Sequence, residues 1–259
     1  MENEVTEFSI ITPTFKRPDE LRRALKSLLD QDYQLWEVVV VNDSPQYQGY
    51  VEIEKEFTDS RIKFLQNSEN VGANASRNHG LQHISSTSGW IIFLDDDDWL
   101  APGALSSLRK LMSEYPNEQW LLTNRVDEIS GKKTNAPQNQ RHYTYAWDYL
   151  ISKKITGDAT HCINAKTATT IRFPTLIKNG EEWLYFFSLG QSLSPFYTNI
   201  DTTLTKGYTL TGLNFRKRNF LAQLHTIKLL LSEGSKRGVL INFYFILYIL
   251  MRLVRSFIK

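Results

Sequence analysis

Short unbroken apolar runs alternate with stretches in which apolar residues recur every three or four positions. Phe8–Ile11 (FSII), Trp36–Val41 (WEVVVV), Ile62–Leu65, Trp90–Leu94 (WIIFL) and Trp120–Thr123 are runs of the first kind. They are short and bounded by polar turn-formers, as expected of strands buried on both faces. Between them lie helical patterns. Pro18-Asp19-Glu20 opens one with a proline and two acids in its first turn, and Leu21, Leu25 and Leu28 give it an apolar face. Val51–Phe57, Ala73–Ile84 and Ala104–Tyr115 predict three more, the last with Leu105, Leu108, Leu111 and Met112 inward. This alternation predicts an α/β fold with a mostly parallel, doubly wound, Rossmann-like sheet. Ligands of such sheets bind beyond the carboxyl ends of the strands. Thr12-Pro13-Thr14, Asn42-Asp43 and Asp95–Asp98 all fall there and are expected to face one crevice. Beyond about residue 130 the pattern loosens: Lys132–Arg141 predicts a mobile loop, and residues 145–215 mix short elements without a legible order.

Charge divides the chain. Residues 216–259 carry nine Lys/Arg against one acid, Glu233, a balance of +8 within a chain whose net charge is +2. The same segment holds the greasiest run, Val239–Met251 (VLINFYFILYILM). Thirteen residues rise about 20 Å as a helix, short of the roughly 30 Å hydrocarbon core, so a spanning helix is not expected. Residues 216–259 predict instead a basic, amphipathic, helical tail lying on an anionic membrane surface, with Arg252, Arg255 and Lys259 on its phosphates. The other expectation is a helix buried in the core or at a homodimer contact. No nucleic-acid motif accompanies the basic residues, and nucleic acid is not an expected partner. The single cysteine, Cys162, excludes an internal disulfide. The start, Met1-Glu2-Asn3-Glu4, is acidic where a signal peptide would be basic, which predicts a cytoplasmic protein, peripheral on the inner face of the cell membrane.

Asp95-Asp96-Asp97-Asp98 follows a buried strand, where like charges a few ångströms apart repel. A divalent cation would offset that cost, and hard carboxylate oxygens suit Mg²⁺ or Mn²⁺ held together with a substrate phosphate. In an extended segment Asp95 and Asp97 would share one face, with Asp96 and Asp98 on the other. A solvated acidic turn is the plainer reading of the same four residues. No P-loop, GxGxxG, HExxH or paired-cysteine zinc spacing is present.

The segments FSIITPTFKRPDELRRALKSLLDQDY, WEVVVVNDSP, NVGANASRNHGL and WIIFLDDDDWLAPGAL, in that order over residues 8–125, resemble the start of family-2 glycosyltransferases of the GT-A fold. Asn179-Gly180-Glu181-Glu182-Trp183 resembles that family's glycine-Glu-Asp-Trp segment. The resemblance implies that Thr12, Pro13 and Thr14 line the nucleotide pocket and that Asp43 hydrogen-bonds the base. Asn42 departs from the family's usual Asp-Asp pair. Arg77 and Asn78 match its Arg-Asn pair, with a structural role as open to Asn78 as a donor-side one. Asp97 would ligate Mn²⁺ or Mg²⁺ together with Asp95, while Asp95 or Asp96 would hold the ribose or the donor sugar. Glu182 falls where the family places its base, normally Asp, and Glu181 is the alternative; both acids could also simply cap the following helix. Trp99, His161, His79 and His83 read as packing or surface residues. Lys206 or Arg216 would replace a late histidine that the family often places near the diphosphate.

What the resemblance implies is inverting transfer of a hexose or N-acetylhexosamine from a nucleotide sugar, expected to be a UDP-sugar, to a glycan or glycolipid acceptor of cell-surface polysaccharide synthesis. Residues 1–215 would form the transferase domain, with a donor half of about 1–125 and an acceptor half of about 126–215, and 216–259 the tail. Two alternatives come from other classes: a non-catalytic sugar-nucleotide-binding or scaffolding relative, and a sugar nucleotidyltransferase. The latter would want a glycine in the first loop, and Thr12-Pro13-Thr14-Phe15 has none.

Overall fold

The computed structural model describes residues 7–134, 141–155, 159–178, 180–206 and 220–258. Its frame is a mixed sheet with helices on both faces. The first half runs β1 (Phe8–Thr14), α1 (Pro18–Leu29), β2 (Trp36–Asn42), α2 (Val51–Glu56), β3 (Ile62–Gln66), α3 (Ala73–Leu81) and β4 (Trp90–Phe93). β5 (Asp98–Leu100), α4 (Ala104–Glu114) and β6 (Trp120–Asp127) follow, then β7 (Arg141–His142), β8 (Thr160–Asn164) and α5 (Ala165–Ala168). A π-helical turn, Ala146–Ile151, lies between β7 and β8. A 3₁₀ turn, Gln48–Tyr50, precedes α2, and α6 (Trp183–Leu189), β9 (Phe196–Thr205), α7 (Phe220–Lys236) and α8 (Phe243–Ile258) complete the described elements.

The sheet order is β3-β2-β1-β4-β8-β6-β9-β5, with β7 on β9. The β3-β2-β1-β4 part is parallel throughout, as the strand–helix alternation predicts. β8 then enters antiparallel between β4 and β6, and β9 runs parallel to β6 but antiparallel to β5 and β7. Because the chain steps outward from β1 through β2 to β3 and returns on the other side as β4, the order reverses between β1 and β4. That reversal opens a crevice at their carboxyl ends.

β1 does not stop at Ile11. Thr12, Pro13 and Thr14 continue in register with Val40, Val41 and Asn42. Pairing with β4 ends at Ile11–Phe93, so beyond it β1 is bonded on the β2 side alone, where a residue lacking an amide hydrogen is tolerated.

One core layer packs α1 and α4 on the sheet through Leu21, Leu25, Leu28, Leu105, Leu108 and Leu111, with Val38 and Val40 beneath. Each such side chain contributes about 1.5–3 kcal/mol on burial. The opposite layer gathers Ile11, Leu81, Ile91 and Trp120 under α6, and it also takes Leu230 of α7 and Phe245 and Ile249 of α8. The basic C-terminal segment therefore buries one face in the domain core while its other face stays exposed. Among the described residues no helix is long and apolar enough to cross a membrane. Residues 135–140 of the loop expected at 132–141 lie outside the described residues.

Candidate active site

The four aspartates do not stay extended. Asp98 N–H donates to the Asp95 carbonyl at 3.1 Å, closing a turn, and Asp98 then enters β5, paired with Thr205 of β9. The turn separates the side chains differently from the alternation expected of a strand. Asp95, Asp97 and Asp98 each bring a carboxylate oxygen within 4.8 Å of the others. Asp96 turns back to β1, where it accepts from Thr14 Oγ1 at 2.8 Å and from Arg17 Nη1 at 3.2 Å. Asp98 thus joins Asp95 and Asp97 where the sequence reading placed only those two. Three clustered carboxylates with hard oxygen donors fit a divalent cation.

Cations already crowd this turn. Arg17 Nη1 also reaches Asp97 at 2.8 Å, and Arg125 Nη2 reaches Asp98 at 2.7 Å. Arg23 donates to the Asp97 carbonyl at 2.7 Å with its guanidinium 4.0 Å above the Trp99 ring. Trp99 itself is buried, in keeping with a packing role. Burial nevertheless pushes the Asp96 and Asp98 carboxyls up to about 7, with neighbouring aspartates adding and Arg17 or Arg125 opposing. A cation bound beside these carboxylates would favour their ionised forms.

Arg77 joins this turn to the other acidic segment. It is buried on α3, donates to Asp95 Oδ1 at 2.5 Å and to Asn74 Oδ1 at 3.3 Å, and lies 3.4 Å from Glu182 Oε1. Glu182 immediately precedes α6 and its side chain is 35% exposed, so one acid faces the crevice. Glu181 has the opposite fate. Its carboxylate is buried, accepting from Arg252 Nη2 and Nη1 at 2.6 and 2.7 Å and from Trp183 Nε1 at 2.6 Å.

Asp43 is 4% exposed and accepts from Asn67 Nδ2, Val71 N–H and Gly72 N–H at 2.9, 2.8 and 2.7 Å. A carboxylate offers about four lone-pair sites, so one remains for a ligand. Gly72 precedes α3 at φ 91°, and a Cβ there would lie 2.0 Å from the Lys178 carbonyl. Glycine is what lets the loop held by Asp43 meet the segment leading to Glu182. Asn42 accepts from Ser44 N–H and Oγ, which shapes the turn after β2.

Thr12 and Pro13 are buried within β1, and Thr14 is the member of that trio that touches the acidic turn. Asn78 clasps the Phe173 backbone through both its amide atoms, a structural use. His161 accepts from Trp120 Nε1 at 3.1 Å and stacks on Phe186 with 3.6 Å between ring centroids. Burial drives it down to about 3, so it is a neutral packing residue. His79 and His83 pack edge to face, with His79 on Asn67. Lys206 is exposed, and Arg216 lies outside the described residues.

Sequence reasoning did not single out Arg17 or Arg125; it set Asp98 on the face away from Asp95 and Asp97, and Arg252 on membrane phosphates, whereas Asp98 joins the cluster and Arg252 is closed on Glu181. Arg17 and Asp98 stand inside the quoted motifs. Arg125 and Arg252 carry no local signal, because long-range folding brings them to their partners.

A similar fold occurs in the crystal structure of S. aureus TarS 1-349 in complex with UDP-GlcNAc, with TM-score 0.68 and 19% identity over 87% of this chain and 67% of that one. The fold is that of the GT-A glycosyltransferases. The chain belongs to glycosyl transferase family 2, whose model matches residues 9–176. It is 39% identical over 110 residues to the GalNAc(5)-diNAcBac-PP-undecaprenol beta-1,3-glucosyltransferase of Campylobacter jejuni, spanning 41% of this chain and 34% of the relative. It is 37% identical over 94 residues to the UDP-Glc:alpha-D-GlcNAc-diphosphoundecaprenol beta-1,3-glucosyltransferase WfgD of Escherichia coli, spanning 36% of each. The chain thus matches about a third of the length of these curated relatives.

Proposed function

We propose that the chain is an inverting glycosyltransferase that moves a hexose or N-acetylhexosamine from a UDP-sugar to a hydroxyl of a lipid-linked glycan, in the synthesis of a bacterial cell-surface polysaccharide. The observation that carries this reading is the juxtaposition, through Arg77, of a three-carboxylate turn at the sheet's crevice with the half-exposed Glu182. The donor class is supported by the UDP-GlcNAc held by the TarS structure, and the acceptor class by the undecaprenol-linked acceptors in the two relatives' names.

In this reading the nucleotide lies over the ends of β1 and β2, where Thr12–Thr14 form the wall and the remaining Asp43 lone pair faces the base. Asp95, Asp97 and Asp98 would hold Mn²⁺ or Mg²⁺, which when bound stabilises negative charge on the departing diphosphate. Arg17, beside Asp96 and Asp97, adds positive charge to that side of the crevice. Glu182 removes the proton of the acceptor hydroxyl as its oxygen attacks the anomeric carbon from the face opposite the diphosphate. Glu181 does not compete for this role, since Arg252 and Trp183 occupy its carboxylate. Arg77 fixes the base relative to the donor side, and alignment of the two substrates supplies much of the rate.

A donor panel tests this. With Mn²⁺ present, release of free nucleotide is expected from one UDP-sugar and not from GDP-, dTDP- or CMP-sugars, and Asp97→Ala should abolish it. Absence of both UDP release and divalent-dependent UDP binding would leave a non-catalytic relative as the better reading.

The lipid-linked acceptor gives the C-terminal segment a use. Phe243, Ile246, Leu250 and Val254 form an exposed row on α8, continued by Ile241, which is 91% exposed. Lys228 and Lys236 are exposed on α7, and the segment is strongly basic. This surface docks on an anionic membrane, apolar side chains among the acyl chains and lysines on phosphates. Removing the segment would take Phe245 and Ile249 out of the core and uncover Trp183 and Phe187, so point changes are the clean test. Ile246→Gln with Leu250→Gln should sharply reduce sedimentation with phosphatidylglycerol vesicles at unchanged thermal stability. Unchanged sedimentation, or a wild-type dimer that the pair dissociates, would assign the face elsewhere.

A further inference from the structure

We infer that α8 belongs to the catalytic apparatus: Arg252 is a positioning residue that sets Glu182 by clamping its neighbour Glu181. The inference rests on the reading of Glu182 as the base.

The clamp joins residues far apart in sequence. Arg252 lies on the last described helix, yet both prongs of its guanidinium meet the two oxygens of Glu181, at 2.6 and 2.7 Å. The side chains are 17% and 6% exposed. A two-pronged arginine–carboxylate pair fixes orientation as well as distance. Trp183 Nε1 adds a third donor to Glu181 at 2.6 Å.

What the clamp holds is an unusual backbone. Glu181 has φ 65°, in the left-handed region, directly after Gly180 at φ 80°. A non-glycine residue keeps that conformation only where its surroundings over-determine it. Arg252 and Trp183 do so from the side chain, and Asn74 holds the preceding carbonyl, of Gly180, at 3.0 Å. Glu182 is the next residue, leaves this bend into α6 and is aimed at Arg77. Releasing Glu181 lets the bend relax and moves the Glu182 carboxylate away from the crevice. An ion pair that only tied α8 to the domain would need neither the two-pronged geometry nor a strained backbone beside the base. The face of α8 opposite Arg252 carries Phe243, Ile246 and Leu250, so the helix meant to meet the membrane also supports the base.

The test uses the full chain with Arg252→Met, Arg252→Lys, Glu181→Gln and Glu182→Gln. UDP release from UDP-glucose and UDP-GlcNAc, with water as acceptor, is measured alongside deuterium exchange of backbone amides. Arg252→Met is expected to lower kcat about 10–100-fold with donor KM within about twofold, the mark of a lost transition-state alignment rather than lost binding. Exchange should quicken at residues 180–186 while 8–14 and 90–93 stay protected. Arg252→Lys should recover part of the rate, and Arg252→Met with Glu181→Gln should lose no more than either alone, because the two act as one unit.

Unchanged kcat in Arg252→Met, with Glu182→Gln inactive, overturns the clamp and leaves the base in place. A Glu182→Gln protein that retains full turnover overturns the base assignment instead. Exchange at 180–186 then decides whether the clamp orders the bend, as it does if hydrolysis is too slow to measure. If Arg252→Met fails to fold, Arg252→Lys, which keeps the charge but not the fork, carries the same comparison. Faster exchange throughout the chain, with kcat per UDP-binding site unchanged, marks a merely structural pair and overturns the proposal.

Discussion

Glu182→Gln is expected to slow sugar transfer by roughly 10²–10⁴-fold while UDP binding stays as in the wild type. The amide keeps the size of the side chain and an oxygen toward Arg77 at its present 3.4 Å, but it cannot take up the acceptor's proton. The loss corresponds to about 3–5 kcal/mol of transition-state stabilisation. Glu181→Gln should look different. It removes the charge opposite Arg252 in a pair that is nearly closed to solvent. Leaving one buried charge unmatched costs about 3–5 kcal/mol, or a fall in melting temperature of about 6–20 °C for a domain of this size. Its rate should fall through displacement of Glu182 rather than loss of a proton acceptor. Transfer rates per UDP-binding site, measured beside melting curves, separate the two acids. Full activity in Glu182→Gln would remove it from the mechanism.

The contrast between the two glutamates marks where the sequence stops being informative. WEVVVV could only be a buried strand, and Leu21, Leu25 and Leu28 could only face inward, so β2 and α1 are local consequences of composition and spacing. The β3-β2-β1-β4 order follows from short connections and right-handed crossovers, and it brings Thr14, Asn42 and Asp95–Asp98 to one rim. The conformation of the aspartate run was not legible. An extended segment puts Asp98 opposite Asp97, and what turns it is the pairing of Asp98–Leu100 with Thr203–Thr205, made by a strand that enters the sheet about a hundred residues later. Glu181 and Glu182 look interchangeable along the chain for the same reason: only folding gives Glu181 to Arg252 of α8 and Glu182 to Arg77 of α3. The C-terminal helices also illustrate a limit of hydropathy. Val239–Met251 is apolar nearly all round, which suits a core or a membrane equally. The fold splits the run between Phe245 and Ile249 inside and Ile246 and Leu250 outside.

The three-carboxylate cluster makes the second large prediction, because it assigns Asp98 a function that simple alternation denies it. Asp98→Asn should raise the Mn²⁺ concentration needed for half-maximal UDP release by at least about tenfold, comparable to or greater than the cost of removing an outer-shell partner. Excess Mn²⁺ should restore much of the rate. Asparagine keeps an oxygen for Arg125 Nη2, now at 2.7 Å from Asp98, so the link between β5 and β6 survives in part. Asp96→Asn supplies the comparison. Its carboxylate lies on Thr14 and Arg17, apart from the cluster, so its loss should disturb donor affinity and the end of β1 while leaving the Mn²⁺ requirement within about twofold. A structural defect at either position cannot mimic this pattern, since added cation does not repair a misfolded turn. If neither Asp98→Asn nor Asp96→Asn shifts the Mn²⁺ dependence while Asp97→Asn does, the ligands follow the alternation of an extended strand, and the turn closed by Asp98 N–H on the Asp95 carbonyl must open when the donor binds.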